Sequence, residues 1–277
     1  MSTFENYDHT SQHYDETRRA VGTEIILGCL ASLRTPMHDL TVLDAGCGTG
    51  AYSQAIIDHV GRIEAVDMSQ GMLAAAESKL AAAAADGRIR FSSGSITALP
   101  FETGSVDAVM INQVVHHLGD STERGFPQLR QAVAEFARVL RPGGGLLFNH
   151  CSQEQLRNAY WYGALIPQAV ERFCSRFAPL PIVQAIFAEA GLVNRGSFAP
   201  VDAVCQDAAY FDGRGPLDPA WRAGDSIWAL VSQDELDAAQ TRIRDLDAAG
   251  QLDGFLAEQD QRRSSLGQIT IMFATRA

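Results

Sequence analysis

The chain has 277 residues, of which 46% are apolar and 20% charged, so it has enough apolar material for a sizeable core. Its formal net charge of −11 disfavours duplex nucleic acid and anionic membrane surfaces as partners. The five cysteines form no CxxC pair, which argues against a disulfide framework or a zinc site, so we expect no metal. The polar N-terminal stretch lacks the apolar core of a signal peptide, and no apolar run is long enough to span a membrane. We therefore expect a cytoplasmic protein.

The first part of the chain alternates between apolar runs and helical patterns. Apolar residues at helical spacing predict a leading helix over residues 18–33. Strands are predicted after it at residues 40–45, 62–66, 89–93, 106–112 and 145–150. Helices are predicted between them at residues 51–60, from the N-cap Ser69 to about Gly87, and at residues 128–140. Such alternation indicates a parallel α/β sheet.

The alternation stops after residue 151, where an aromatic-rich segment covers residues 152–180. The later pattern predicts a helix at residues 181–190, an irregular strand at 193–204, a helix with a capping box at 232–248 and a last strand at 268–275.

The strongest motif is the stretch VLDAGCGTG, in which a strand ends in an acidic residue and a glycine loop before a helix begins. Gly46 and Gly48 let the backbone approach a ligand closely, and the helix N-terminus offers free N–H groups to an anionic group. Asp67 follows Gly46 by 21 residues at the end of the second strand, where a carboxylate can bind both hydroxyls of a ribose. The alternative for Asp67 is a local N-cap or turn role.

These residues, followed by EAVDMSQGML, GSITALPF, VMINQVVHHL and LRPGGGLLF, resemble the ordered motifs of class I S-adenosylmethionine-dependent methyltransferases. The resemblance covers about residues 40–150. Within these methyltransferases, the chain resembles the ubiquinone/menaquinone C-methyltransferase-like group of small-molecule enzymes. The resemblance implies a Rossmann-like, doubly wound, seven-stranded sheet, mostly parallel with its last strand antiparallel. It also implies S-adenosylmethionine as cofactor and S-adenosylhomocysteine as product. We expect one domain over residues 1–277, divided into an N-terminal helical cap (1–38), a cofactor-binding core (39–204), a lid-like helical insertion (205–265) and a closing strand (266–277).

The resemblance also implies roles for individual residues. Asp44, Gly46 and Gly48 would hold the methionine part of the cofactor, Asp67 its ribose, and Met68 its adenine. The further cofactor-binding positions that it implies are Cys47 in the loop, Ser95 and Ile96 at the adenine edge, Asn112 and Gln113 near the methionine, and Tyr7, Tyr14 and Arg18 in the N-terminal stretch. Many members carry an acid where this chain has Ser95.

In-line displacement at a methyl carbon gains mainly from alignment and desolvation, so no acid–base pair is strictly required. If a general base exists, His150 at the end of the fifth strand is the first candidate and His116 the second. A polar wall of the acceptor pocket or local packing is the alternative for His116, and a neutral strand-end role is the alternative for His150. One or two of the adjacent aromatics Tyr160, Trp161 and Tyr162 could line an acceptor site, with core packing as the alternative.

Two other functions share parts of this pattern. A nicotinamide-dependent oxidoreductase has the same strand, glycine loop and distal acid, but the only lysine, Lys79, is not part of a Tyr-x-x-x-Lys pair. A non-catalytic module that binds S-adenosylmethionine stays open. Residues 202–265 carry 6 basic and 13 acidic side chains, so the acidic insertion disfavours polyanionic acceptors. We expect a small-molecule acceptor, no nucleic acid, and a monomer or homodimer. The scattered cysteines favour buried small hydrophobes over a thiol site.

Overall fold

The computed structural model describes residues 19–277, and within them seven strands form one sheet. In chain order the strands are β1 (Thr41–Ala45), β2 (Arg62–Asp67), β3 (Ile89–Ser93), β4 (Val106–Asn112), β5 (Leu140–His150), β6 (Leu192–Phe198) and β7 (Thr270–Arg276). Their order across the sheet is β3-β2-β1-β4-β5-β7-β6. The strand β7 runs antiparallel to both of its neighbours, β5 and β6, while the other pairs are parallel. The predicted fold class is confirmed.

Helices cover both faces of the sheet and form most of the region between β6 and β7. The α-helices of the described residues are α1 (Thr23–Ala31), α2 (Ala51–Ile56), α3 (Gln70–Lys79), α4 (Ala81–Ala85), α5 (Pro127–Val139), α6 (Gln153–Asn158), α7 (Pro167–Cys174), α8 (Leu180–Glu189), α9 (Pro219–Ala223), α10 (Gln233–Ala248), α11 (Leu252–Asp260) and α12 (Arg263–Leu266). In these residues, no helix is both long and apolar enough to cross a membrane.

Several predicted elements have different bounds in the structure. The helix predicted at 51–60 ends at Ile56, and the strand predicted at 145–150 begins at Leu140. The leading helix begins only at Thr23, after Gly22 with a φ of 72°. The alanine-rich helix is interrupted at Leu80, whose ψ of 22° separates α3 from α4. The predicted strand at 193–204 ends at Phe198. The N-cap role of Ser69 is confirmed, because its side chain accepts a hydrogen bond from the backbone N–H of Met72.

The predicted capping box of α10 is only half formed. The Ser232 side chain accepts from the backbone N–H of Glu235. The Glu235 carboxylate turns away and accepts from the Gln168 and Ala169 backbone N–H groups and from the Arg172 guanidinium. Glu235 therefore holds the N-terminus of α7 instead of closing its own helix, because the exposed donors of that neighbouring helix end attract a carboxylate.

The order of the strands reverses between β1 and β4, which are parallel neighbours in the sheet but not consecutive in sequence. All five residues of β1 are buried, as expected for a central parallel strand covered on both faces. In an open α/β sheet, ligands bind beyond the carboxyl ends of the strands at such a reversal. The fold therefore places the glycine loop after β1 and the residues after β4 on either side of one crevice.

Candidate functional site

The glycine loop after β1 is held by backbone hydrogen bonds. The N–H groups of Gly46 and Cys47 both donate to the carbonyl of Val66, at 2.8 Å and 3.0 Å. Gly46 has a φ of 78°, and a Cβ there would lie 2.7 Å from a methyl carbon of Val114. At Gly48, with a φ of 53°, a Cβ would meet nothing within 4 Å. Gly46 therefore allows close packing of backbone against Val114, whereas Gly48 borders open space.

Asp67 connects the ends of β1 and β2. One carboxylate oxygen accepts from the Gly48 N–H at 2.8 Å, and the other accepts from the Ser69 N–H at 2.9 Å. Burial raises the pKa of Asp67, and the hydrogen bonds from the backbone partly counter that shift. The same carboxylate borders the crevice. The local turn role and a ligand-facing position, which sequence reasoning treats as alternatives, thus coincide in this residue.

Asp44 lies beneath the loop and is buried. Its carboxylate accepts a hydrogen bond of 2.7 Å from the Ser53 hydroxyl on α2. Desolvation by burial, with a smaller contribution from the charge of Asp67, raises the pKa of Asp44 to about 7. A cationic group bound beside it would favour the ionised form, so Asp44 can serve as the anionic partner of an ammonium.

A cavity of about 750 Å³ extends from the glycine loop across the ends of β2 and β4 to the region between β6 and β7. Eleven residues predicted for the site from sequence border it: Asp44, Gly46, Cys47, Gly48, Asp67, Met68, Ser95, Ile96, Asn112, Gln113 and His116. Tyr7, Tyr14 and Arg18 lie outside the described residues. The cavity size suits a small-molecule site.

Two features mark the side of the cavity assigned to the adenine. Met68 has 47% of its surface exposed although it is a large apolar side chain, so a flat ligand ring can cover it. The Ser95 hydroxyl is engaged locally, since it accepts from the Thr97 N–H at 3.2 Å and lies 2.8 Å from the Thr97 hydroxyl. Ser95 therefore shapes the turn after β3 as well as bordering the cavity.

A polar network supports the cavity at the ends of β4 and β5. Gln113 has a φ of 57°, uncommon for a residue with a side chain, and its amide donates to the Asn149 side-chain oxygen at 2.9 Å. Asn149 in turn donates to the Tyr52 hydroxyl at 3.0 Å and to the Asn112 side-chain oxygen at 3.2 Å. Tyr52 and Asn149 were not among the residues predicted for the site. Asn149 could have been predicted, because it lies near the end of the strand after β4, opposite Asn112.

The far part of the cavity is lined by aromatic rings. His116 lies in a short 3-10 turn and is 6% exposed. Its ring stacks on Phe177, with 5.1 Å between centroids, and meets the edge of Phe173 at 5.3 Å. All three rings border the cavity. The predicted alternatives for His116, local packing and a cavity wall, are therefore both met by its position.

The three adjacent aromatics separate as the sequence led us to expect. Tyr160 and Tyr162 border the cavity. Trp161 turns away, and its indole N–H donates to the carbonyl of Tyr210 at 2.7 Å. The Tyr162 hydroxyl donates to the carboxylate of Asp225, which also borders the cavity and comes from the insertion. Trp221 and Trp228 pack against Tyr162 from behind, with centroids 5.4 Å and 5.7 Å away.

The structure corrects the expectation for His150. Its side chain lies on the same face of β5 as Phe148, 5.0 Å away between ring centroids, and it is 1% exposed. It is absent from the residues that border the cavity. Burial lowers the pKa of His150 to about 4, so the ring is neutral near pH ~7. Alternation along the strand turns the neighbouring Asn149 to the other face, where it hydrogen-bonds to Tyr52, Asn112 and Gln113, which border the cavity.

All five cysteines are buried, as predicted. Three of them, Cys47, Cys151 and Cys205, also border the cavity. Cys151 donates to the Gln113 side-chain oxygen at 3.4 Å and so connects the polar network with the aromatic part. No group of three His, Cys, Asp or Glu side chains within residues 19–277 is arranged to hold a metal ion.

Comparison with known proteins agrees with this geometry. Residues 43–148 match the family model described as a methyltransferase domain. The chain is 34% identical over 146 residues to a malonyl-[acyl-carrier protein] O-methyltransferase of Erwinia billingiae, a match that covers 52% of this chain and 53% of the relative. It is 32% identical over 145 residues to a demethylmenaquinone methyltransferase of Clavibacter sepedonicus, covering 51% and 54%. The chain spans about half the length of these curated relatives.

A solved structure supports the fold. The chain superposes on a putative methyltransferase from an antibiotic biosynthesis pathway of Anabaena variabilis with a TM-score of 0.65 and 20% identity, covering 92% of this chain and 97% of the other. At that identity the likeness concerns the fold alone. The family match over residues 43–148 agrees with the predicted resemblance to methyltransferases, and the superposition agrees with the predicted fold.

Proposed function

We propose that this chain binds S-adenosylmethionine and transfers its methyl group to a small-molecule acceptor. One observation carries the proposal: the cavity that contains the glycine loop and Asp67 continues without interruption into an aromatic chamber built from residues 116–227. A nucleoside site and a second, largely apolar compartment within one cavity are what a two-substrate transfer needs.

Residues in different parts of the cavity have different roles in the proposed transfer. When bound, S-adenosylmethionine supplies a methyl group activated by a positively charged sulfur. Asp67 would use its remaining acceptor capacity for ribose hydroxyls, because its two oxygens hold backbone N–H groups and a carboxylate has further lone pairs. Asp44 would hold the ammonium of the methionine part, and Met68 would pack on the adenine. The rings of Phe173 and Phe177 exclude water from the reacting atoms.

Calorimetric titration separates this proposal from an oxidoreductase. We expect S-adenosylhomocysteine to bind at one site per chain with a dissociation constant of about 1–100 μM, and NADH not to bind. Specific binding of NADH without binding of S-adenosylmethionine would contradict the proposal. The missing Tyr-x-x-x-Lys pair, with Lys79 donating to Thr49 beside the glycine loop instead, supports the first outcome.

A turnover assay separates an enzyme from a non-catalytic module. The protein is incubated with methyl-labelled S-adenosylmethionine and a panel of small acceptors, and labelled products are counted. Transfer to any acceptor supports the enzyme, and tight cofactor binding without transfer across the panel supports the module. The relatives are named for acceptors as different as a malonyl carrier-protein conjugate and demethylmenaquinone, so their names do not select the acceptor.

The proposal also covers the lid, the class of acceptor, the location of the protein and its oligomeric state. We propose that residues 205–265 act as a lid over the cavity, that no nucleic acid takes part, and that the protein is a cytoplasmic monomer or homodimer. The acidity of residues 202–265 supports the second point. Light scattering during gel filtration tests the oligomeric state.

A further inference from the structure

The aromatic chamber is the part of the cavity beyond the ends of β4 and β5. Its wall includes His116, His117, Cys151, Leu156, Tyr160, Tyr162, Phe173, Phe177, Cys205, Asp225, Ser226 and Ile227. Six of these twelve side chains are rings, so the chamber is shaped for a flat, mainly apolar molecule. Residues 116–177 supply one side of the wall and residues 205–227 the other.

Asp225 is the only acidic side chain in the described wall of this chamber, and that wall contains no lysine or arginine. The one arginine bordering the whole described cavity, Arg19, is exposed and forms an ion pair with Asp207 at 3.3 Å. The other carboxylates of the cavity, Asp44 and Asp67, lie on the cofactor side. Among Asp, Glu, Lys and Arg residues, the described wall of the chamber therefore contains only the acidic Asp225.

Asp225 is held in a fixed position. It is 7% exposed, and its two oxygens accept from the Tyr162 hydroxyl and, at 3.2 Å, from the Ile227 backbone N–H. The rings of Trp221 and Trp228 pack behind Tyr162 and hold it in place. A fixed carboxylate among aromatic rings favours a ligand that donates an N–H or O–H or carries positive charge, and it repels a second anion.

We infer that the acceptor is a flat, apolar molecule without an acidic group, and that it presents an N–H or O–H donor to Asp225. This inference rests on the proposed methyl transfer. It makes Asp225 the residue that selects the acceptor by charge, with Tyr162 orienting its carboxylate. We expect acceptors that carry a carboxylate or a phosphate to be disfavoured in the chamber, because its described wall offers them no lysine or arginine and places the Asp225 carboxylate beside them.

Three compounds with the same ring system test the charge preference. Naphthol is neutral with an O–H donor, naphthylmethylamine is cationic, and naphthoate is anionic. Each is titrated calorimetrically into protein saturated with S-adenosylhomocysteine. We expect naphthol and naphthylmethylamine to bind at least about tenfold more tightly than naphthoate. Equal or tighter binding of naphthoate overturns the inference, and so does the absence of binding by all three.

Variants test the assignment to Asp225. In Asp225→Asn we expect the preference over naphthoate to fall to less than about threefold, because the charge is removed while an oxygen remains for the Ile227 N–H. Tyr162→Phe keeps the charge, so the preference is expected to persist. The matched control is Asp245→Asn at an exposed position of α10, which is expected to behave as wild type. An unchanged preference in a folded Asp225→Asn protein overturns the role of Asp225.

The design distinguishes this inference from the proposed function. Titration with S-adenosylhomocysteine alone comes first, and its failure contradicts the proposed function together with the inference built on it. Normal S-adenosylhomocysteine binding combined with a preference for naphthoate contradicts the inference only. Thermal unfolding of each variant confirms that a loss of preference does not come from loss of the fold.

Discussion

The two halves of the cavity are built in different ways. The cofactor half uses short stretches of backbone at strand ends, where Gly46, Cys47 and Gly48 are fixed by Val66 and Asp67. The chamber uses side chains brought together from distant parts of the chain, such as Tyr162 and Asp225, which are 63 residues apart. Backbone geometry favours one ligand for the first half, whereas side chains can vary in the second without disturbing the sheet. We therefore expect that substitutions in the chamber can change the acceptor preference without changing cofactor binding.

The largest effect is expected from Gly46→Ala in the cofactor half. The added Cβ meets Val114 at 2.7 Å, and the φ of 78° disfavours any side chain. We expect the affinity for S-adenosylhomocysteine to fall by at least about 100-fold in calorimetry. Gly143→Ala is the matched control, because Gly143 has the same φ of 78° but open space around it. It should lose about 1–2 kcal/mol of stability and keep its affinity. Wild-type affinity in Gly46→Ala would show that the loop does not contact the ligand.

Asp44→Asn separates the stability of the cofactor half from its binding role. The folded-state pKa of Asp44 is raised to about 7, so the folded protein holds a proton that the unfolded chain releases at lower pH. Ionisation of Asp44 therefore lowers the free energy of unfolding progressively from about pH 4 to about pH 7, and the cost stays constant above that range.

In denaturant titrations of the ligand-free protein, we expect Asp44→Asn to be more stable than wild type by a few kcal/mol near pH ~8, with the difference shrinking toward pH ~4. S-adenosylhomocysteine affinity should fall at the same time, because the anionic partner is lost. Asp58→Asn, at an exposed carboxylate, controls for the loss of one formal charge. A difference in stability that does not vary with pH contradicts the assigned titration.

Asp67→Ala tests the ribose contact. We expect binding of S-adenosylhomocysteine to weaken by about 1–3 kcal/mol through loss of charged hydrogen bonds. Because Asp67 also holds the Gly48 N–H, the ribose term needs its own readout. Wild-type protein should prefer adenosine to deoxyadenosine, and Asp67→Ala should bind the two equally. If the variant still discriminates between the nucleosides, the ribose assignment is wrong. Asp86→Ala at an exposed helix end serves as control.

The smallest effect is expected from His150→Gln. His150 lies on the face of β5 that turns away from the cavity, so kcat/KM should change by less than about threefold. His116→Gln removes a ring from the chamber wall and should raise the KM for the acceptor more than the KM for S-adenosylmethionine. A larger loss of kcat in His150→Gln than in His116→Gln would contradict the placement of His116 at the cavity and of His150 away from it.

The cofactor half could be predicted well from sequence. The motif VLDAGCGTG, Asp67 and the residues after β4 are local signals, because strand ends on the same edge of a parallel sheet must meet. The prediction for His150 was wrong because both Asn149 and His150 lie at the end of β5. Adjacent side chains of a strand point to opposite faces, and the sequence did not show which of the two faces the site.

The chamber could be predicted only in part. Aromatic composition pointed to residues 160–162, but the pairing of Tyr162 with Asp225 depends on how the insertion packs. The reach of Glu235 to the start of α7 had no sequence signal either, since its spacing fits a capping box equally well. Contacts between distant side chains are set by tertiary packing and leave no periodic pattern in the sequence.

The central claim is that one cavity joins the cofactor half to the chamber, and a crystal structure with S-adenosylhomocysteine tests it most directly. We expect the ribose at Asp67, the adenine against Met68, and the sulfur facing the chamber bordered by His116 and Asp225. A bound nucleoside with its sulfur directed to solvent, or one seated away from the glycine loop, would contradict it.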